Sequence, residues 1–544
     1  MENTIENIQS GTRDNIGYQN RQRTSVATIK DARPSPRGLR CPQLPTTVRW
    51  PRRRVVKKAR IAAIIGSLGS ITIGLAASAA VPGPTPVSST SPYVNGCEGA
   101  PTAPAYAGAE VEPFVASDPV VPGHLIGVWQ QDRFPDGGSR GLRTAFSTDG
   151  GGSWSLATAQ PKFSRCAGGT VANGGDLERS TDPWVSIGPD GTGGSVAYQI
   201  ADSFNDTNTT NAILVSRSLD SGATWSNPTT VLRESGERDV SFAFSDKESI
   251  TADPTQACHA YATWDRLVGP AGSSNGSAAA FEHAQGYRGP TWFSRTTDCG
   301  QTWEPARQIY DPGQINQTIG NQIAVLADGT LINTFDLIYN RKNAHGLRGE
   351  SIAVQRSTDK GLTWGALIIV SDARSVPVTA SDGVALRTGD NIPDIAVRGN
   401  RVFLVWQDSR FSNGVRNDIV ISESSNGGLS WSAPALVNSG MVSAFNPAVE
   451  VTASGRLGVG YHELTGDGVT RLLATRQLGS LSGFSSVVIA GGPASDIKLA
   501  PNARGYFLGD YQGLAANGSS LVSFFVNPNA GGAPNQTEVY SYIS

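Results

Sequence analysis

Five histidines and five cysteines are scattered through 544 residues, and none is spaced as a metal ligand set. No phosphate loop, nucleophile elbow or dinucleotide fingerprint occurs. Those absences exclude the familiar nucleotide-dependent enzymes and the serine hydrolases with a Gly-x-Ser-x-Gly turn. Charged residues are also scarce, 17% against a usual ~25%. The formal net charge of −2 hides two unlike parts. Residues 1–60 hold 14 basic and 4 acidic groups, +10, and the remainder holds 30 and 42, −12. An acidic body argues against a nucleic-acid partner. Glycine is the surplus, 63 residues, which suits many short strands joined by tight turns.

One long apolar run occurs. The basic stretch Arg52–Arg60 precedes uncharged residues from Ile61 to Val81, which end in Ala76-Ala77-Ser78-Ala79-Ala80. A positive flank, an apolar segment and an Ala-x-Ala site describe a secretory signal peptide cut after Ala79. The alternative is a retained membrane anchor, since ~20 residues suffice to span. The expected organisation is therefore a disordered basic leader over 1–58, a hydrophobic region over 59–80, a linker and closing strand over 81–109, and a repeat domain over 110–544. Secretion or display at the cell surface follows, with membrane association only if the segment is retained. Cleavage removes Cys41 and leaves Cys97, Cys166, Cys258 and Cys299, an even number that permits disulfides in an exported chain. Three pairings are possible. Partners within one unit or at its edge favour Cys97–Cys166 and Cys258–Cys299.

The repeat is read from five matches to S/T-x-D-x-G-x-x-W. They centre on Asp149/Trp154, Asp220/Trp225, Asp298/Trp303, Asp359/Trp364 and Asn426/Trp431. Successive Asp or Asn positions lie 71, 78, 61 and 67 residues apart. Each match follows a short apolar strand. The Asp accepts hydrogen bonds from turn amides, the Gly supplies a positive-φ position, and the Trp is expected to cover the hairpin against its own sheet. These residues are therefore structural. Upstream of each lies a polar residue opening an apolar strand, and seven such units start at 112, 182, 248, 322, 394, 446 and 510. Four antiparallel strands per unit predict an all-β, single β-propeller with seven blades, six being the alternative. The last unit is one strand short, and a segment within Tyr93–Val111 is expected to complete it, so that both termini close the ring.

The motif resembles the Asp box, or BNR repeat, of the sialidase-like superfamily, and residues from about 110 to 544 look like a member of it, of exo-α-sialidase type. Here the resemblance implies that the boxes lie on the face away from the active site. It also implies a tyrosine nucleophile, an activating glutamate and an aspartate acid. By position within the units these fall on Tyr511, Glu248 and Asp132, with Asp136 as the alternative acid. Sialidases hold the substrate carboxylate with three arginines, the first in an R-I-P motif. The matching place here reads Glu112-Pro113-Phe114, a departure that speaks against sialic acid. The recurring Asp132-Arg133, Asp265-Arg266 and Asp408/Arg410 strand ends offer either a substitute arginine cluster or salt bridges between blades.

Ligands of propellers sit at the channel mouth, where inner strands begin. Those starts offer Glu112, Asp182, Gln322, Asp394, Asn446 and Asp510 as substrate-binding residues, an acidic and amide-rich set suited to a neutral sugar or to paired carboxylates in glycoside hydrolysis. The expected activity is an exported sialidase-like glycoside hydrolase acting on terminal sugars of extracellular glycans. The alternatives are a non-catalytic propeller binding glycan or protein at the cell surface, and another carboxylate-based hydrolase or lyase on the same scaffold. No cofactor and no metal are implied, with a bound calcium left open. A monomer is expected.

Overall fold

Glycine-rich turns and alternating apolar strands give a structure almost wholly of β-strands. The computed structural model describes residues 83–235, 243–269, 288–339, 349–438, 441–480, 483–528 and 533–544. The expected leader and hydrophobic region lie outside the described residues. No helix among the described residues is long and apolar enough to cross a membrane.

Seven antiparallel meanders follow one another along the chain. Their inner strands are Glu110–Ser117, Arg179–Pro189, Ala243–Ala252, Asn316–Val325, Asp394–Arg398, Ser443–Val451 and Gly513–Asn517. The sheets are called first to seventh in that order. The first and second are joined by a single pair, Ser139 opposite Ser180. Each inner strand packs beside the inner strand of the next sheet, and Gly513–Asn517 lies back against Glu110–Ser117.

The seventh sheet is completed by Thr85–Pro86, with Thr85 opposite Ser541 and Pro86 opposite Tyr540. The window expected to supply this strand, Tyr93–Val111, does not do so. Its residues are committed elsewhere: Cys97 is bonded to Cys166, the Tyr93 hydroxyl donates to Leu142 O at 3.0 Å, and the Tyr106 amide donates to Arg133 O at 2.9 Å. Proline is tolerated at Pro86 because an outermost strand needs no donor on its free side. The second disulfide joins Cys258 and Cys299. Both favoured pairings are formed.

The five motif turns share one geometry. Ser147 Oγ donates to Asp149 Oδ1 at 2.8 Å and accepts from the Gly151 amide at 2.9 Å. Asp149 Oδ1 accepts the Ser153 amide at 2.9 Å. The same bond runs from Thr224 to Asp220, Thr302 to Asp298 and Thr363 to Asp359 at 2.9 Å, and from Ser430 to Asn426 at 3.0 Å. Bonds from its own turn, the Ser153 hydroxyl first, hold Asp149 down to about 2.

The motif tryptophans reach past their own hairpins to the preceding sheet as well. Trp154 of the first sheet packs on Phe524 of the seventh, ring centres 5.2 Å apart, and its indole donates to Ser541 Oγ at 2.8 Å. Trp225 of the second joins a cluster with Ile126 and Val128 of the first. Trp303 of the third is only half-buried, and it packs on a cluster that contains Val196 and Tyr198 of the second. Trp364 of the fourth meets Phe293 of the third at 5.6 Å. Trp431 of the fifth, also half-buried, joins Ile332 and Val354 of the fourth. Its indole still donates to its own turn, at Gly428 O, 3.2 Å away. The rings reach the preceding sheet because a strand face in a stacked array is already filled by its own apolar side chains. Of the five, Trp225 is buried and the other four are half-buried.

Candidate functional site at the mouth of the inner strands

Five inner strands carry a bulge at the same level. The pairing register breaks between Val111 and Phe114, Thr181 and Trp184, Asp246 and Ser249, Ile319 and Gln322, and Phe445 and Ala448. At each break one residue turns left-handed: Glu112, Asp182, Lys247, Gly320 and Asn446, with φ of 53°, 48°, 49°, 70° and 49°. A bulge of this kind re-aims a side chain out of the strand's alternation. Four of the five therefore point a polar group to one end of the inner strands.

Three levels result. Lowest is a cavity of about 210 Å³ lined by residues from all seven inner strands, among them Phe114, Trp184, Ile250, Gln322, Ile395, Val449 and Leu514. Above it Phe114 stacks on Trp184, centres 3.6 Å apart, and Trp184 leans on Tyr511 at 5.1 Å. Above the aromatics sits a buried lysine. Lys247 Nζ lies 2.7 Å from Asp182 Oδ1, 2.8 Å from Asp510 Oδ2 and 3.2 Å from Glu112 Oε1. Arg387 forks onto the same aspartate, Nη2 to Oδ2 at 2.7 Å and Nε to Oδ1 at 3.2 Å.

Burial sets the protonation of this group. It pushes Glu112 up to about 8, reinforced by neighbouring Asp182, and it raises Asp182 too. Burial acts on Asp510 in the same sense, but Arg387 and Lys247 outweigh it and hold that carboxyl well below the usual range. Burial disfavours the Lys247 ammonium, yet the neighbouring carboxylates, Asp182 first and then Asp510, keep it charged.

The uppermost level is a cavity of about 390 Å³ whose polar lining includes Asp246, Lys247, Asp336, Glu350, Arg387, Asp390, Asn391, Arg504 and Asp510, with Leu267, Ile319, Ile338 and Ile392 as an apolar side. The segment bearing Arg387 is anchored by a small sheet in which Ala385–Arg387 pairs with Val378–Thr379 and, in parallel, with Tyr506–Phe507. It then dips against the seventh sheet. A β-carbon at Gly389 would stand 1.9 Å from Asp510 O, so only glycine fits there. The Gly389 amide donates to Asn446 Oδ1 at 2.9 Å. The next residue, Asp390, is raised to about 6 by burial and by the Asp510 and Glu350 charges.

Of the residues expected from sequence, Glu112, Asp182 and Asp510 meet on Lys247. Gln322, Asp394 and Asn446 lie just beneath the mouth. Gln322 Nε2 donates to Pro393 O at 2.9 Å. Asp394, raised by burial to about 7, accepts the Val449 amide at 2.6 Å. Asn446 Nδ2 donates to Gly509 O at 2.5 Å. The three residues assigned to catalysis are not brought together by any hydrogen bond. The Tyr511 hydroxyl donates to Pro183 O at 3.2 Å, and Glu248 accepts the Asp202 amide. Asp132 is remote from both, held by the Gly108 amide at 2.9 Å, Ser91 Oγ at 2.8 Å and Arg140 Nη1 at 3.2 Å. The Asp-Arg strand ends form no common cluster: Arg266 pairs with Glu234, Arg410 with Asp408 at 2.7 Å, and Arg133 lies over Phe507.

Sequence reasoning missed Lys247, Arg387, Asp336, Glu350 and Asp390. Lys247 had a signal. The pairs Glu112-Pro113, Asp182-Pro183 and Asn446-Pro447 align with Lys247-Glu248, one residue before the start taken for that unit. Arg387 and Asp390 stand in a connection without counterpart in the other units, and Asp336 and Glu350 on strands other than the innermost, so the repeat gives no register for them.

No protein-family model matches the chain, and no curated protein matches it in sequence. Solved structures do. NanB sialidase from Streptococcus pneumoniae is 11% identical, with 68% of each chain covered and a TM-score of 0.41. An α-L-arabinofuranosidase from Fusarium graminearum, solved with an iminosugar inhibitor, is 12% identical over 75% of this chain and 97% of its own, TM-score 0.42. A Penicillium chrysogenum α-L-arabinanase solved with arabinobiose gives 11%, 85% and 98%, and 0.40. Likeness at this level carries neither substrate nor catalytic residues to this chain.

Proposed function

We propose that this chain is an exported glycoside hydrolase built on a seven-bladed propeller, cleaving a terminal sugar in the mouth cavity. Ring closure is supported by the contact of the seventh inner strand with the first, by Trp154 reaching Phe524, and by one axial cavity lined from all seven strands. Export is supported by the two disulfides.

The observation that carries the activity is the pair Asp390 and Asp510. They share one cavity, yet their surroundings drive them apart, one up to about 6 and the other well below its ordinary value. Two carboxyls pushed in opposite directions are what glycoside hydrolysis asks for: a protonated acid for the leaving oxygen and an anion for the cationic ring. Asp390 is the acid in this reading and gives its proton to the leaving oxygen, Asp510 stabilises the cationic ring, and a water adds its hydroxyl to the anomeric carbon while its proton restores Asp390. Asp510 is held by Arg387 and Lys247 and so does not reorient.

The test is turnover of chromogenic terminal glycosides by the full chain. Asp390→Asn should lower kcat by ~10²–10⁴-fold, the worth of a positioned acid, with the unfolding transition unchanged. An unaltered kcat in that variant, or no turnover of any glycoside by folded protein, refutes the assignment. Saturable glycan binding without turnover would instead make the propeller a binding module.

A further inference from the structure

One corner of the mouth cavity gathers Asp336, Glu350, Asp390 and Asn391. Lys247 pairs with Asp182, Asp510 and Glu112, and Arg387 pairs with Asp510 while its charge also pulls Asp390 down. Asp336 is 3% exposed and Asn391 is 1% exposed. Asp336 Oδ1 and Asn391 Oδ1 are both buried and without a hydrogen-bond partner. Asn391 Nδ2 donates to Glu350 Oε2, which leaves the amide oxygen to face the cavity. Both residues line the cavity. A buried acceptor without a donor costs ~1–3 kcal/mol, so this corner is built for a ligand that donates.

Asp336, Glu350 and Asp390 do not bring three carboxylate oxygens within 4.8 Å of one another, yet they are near enough to interact, since after burial the Glu350 and Asp390 charges raise Asp336 further. An amino sugar meets such spread acceptors with several donors: its ammonium reaches a carboxylate and its ring hydroxyls reach the others. The apolar side formed by Ile338 and Ile392 suits the C–H face of such a ring, and a volume of about 390 Å³ holds a monosaccharide.

We propose that Asp336, Glu350 and Asn391 form a subsite for an aminohexose, its protonated amino group on a carboxylate and its hydroxyls on the other acceptors, so that the sugar recognised at the mouth is a free 2-amino sugar. The assignment rests on the glycosidase reading and names its substrate class.

Calorimetric titration of the full chain with glucosamine, galactosamine, glucose and N-acetylglucosamine tests it without requiring turnover. An amino sugar should bind ~10–100-fold more tightly than glucose or the N-acetyl sugar, the range of one charge-assisted hydrogen bond. Asp336→Asn should cut that preference by about tenfold, and Glu350→Gln gives the same readout if the first variant folds poorly. Equal affinity for glucose and glucosamine overturns the subsite while leaving glycoside turnover, measured separately, to judge the hydrolase. Displacement of glucosamine by calcium overturns it as well, in favour of a metal site. No saturable binding of any of the four sugars also overturns it.

Discussion

Replacing Lys247 by methionine keeps the side-chain length and removes the charge on which three inner strands converge. Asp182 has Lys247 as its ion-pair partner, whereas Asp510 retains Arg387. Glu112, raised to about 8, is already mostly neutral at pH 7. The loss therefore falls on Asp182. Breaking a buried pair costs ~3–5 kcal/mol. The variant can avoid burying a bare carboxylate by protonating Asp182, a proton the unfolded chain does not hold at neutral pH. That uptake costs ~1.4 kcal/mol for each pH unit above the ordinary carboxyl value. The deficit relative to wild type should thus be about 3–5 kcal/mol at pH 7 and smaller at pH 5, where the proton costs less to take up. Urea unfolding of both proteins at the two pH values measures it, and Asp182→Asn in the Lys247→Met background should recover most of the loss at pH 7. A deficit independent of pH, or one below ~1 kcal/mol, would show that Lys247 does not hold the ring together.

Three further outcomes are expected. Trp225→Ala should destabilise by ~3–5 kcal/mol, as large-to-small changes in a core do, because the indole is 7% exposed and packs on the first sheet; thermal unfolding reads this, and a change under 1 kcal/mol would remove the seam role. Separating Cys97 from Cys166 by a double serine substitution should cost ~4 kcal/mol from loop closure over 69 residues, read from the denaturation midpoint. The acid Asp390 is active when protonated, so kcat/KM for a glycoside should be level below about pH 6 and fall tenfold per unit above it; a profile flat to pH 8 contradicts the assignment.

What could be read in the sequence was local. A turn in which Asp149 bonds the amide four residues on needs Asp, Gly and Ser at fixed offsets, so the motif announces itself, and five turns imply the sheets that carry them. Where Trp154 packs was not readable, because its partner Phe524 is 370 residues away and belongs to no repeated pattern. Trp303 and Trp431 pose the same difficulty at shorter range, since their neighbours Tyr198 and Ile332 belong to the preceding unit. Thr85–Pro86 is too short to show alternation. At the mouth, Glu112, Asp182 and Asp510 were legible because each precedes the apolar run of an inner strand. Lys247 was displaced by one residue, since an acidic neighbour, Glu248, fitted the expected chemistry better than the register did. Asp336, Glu350 and Asp390 come together only through tertiary folding of one non-repeated connection onto the fourth sheet.

The central claim is that sugar is bound and cleaved where Asp390 and Asp510 share a cavity. A crystal structure of the Asp390→Asn chain soaked with an unreacted terminal glycoside tests it most directly. The account predicts density for the sugar ring between Asp510 and Ile392, its scissile oxygen beside residue 390. Density at the separate cavity beside Tyr93 and Glu110, with the mouth empty, would contradict it.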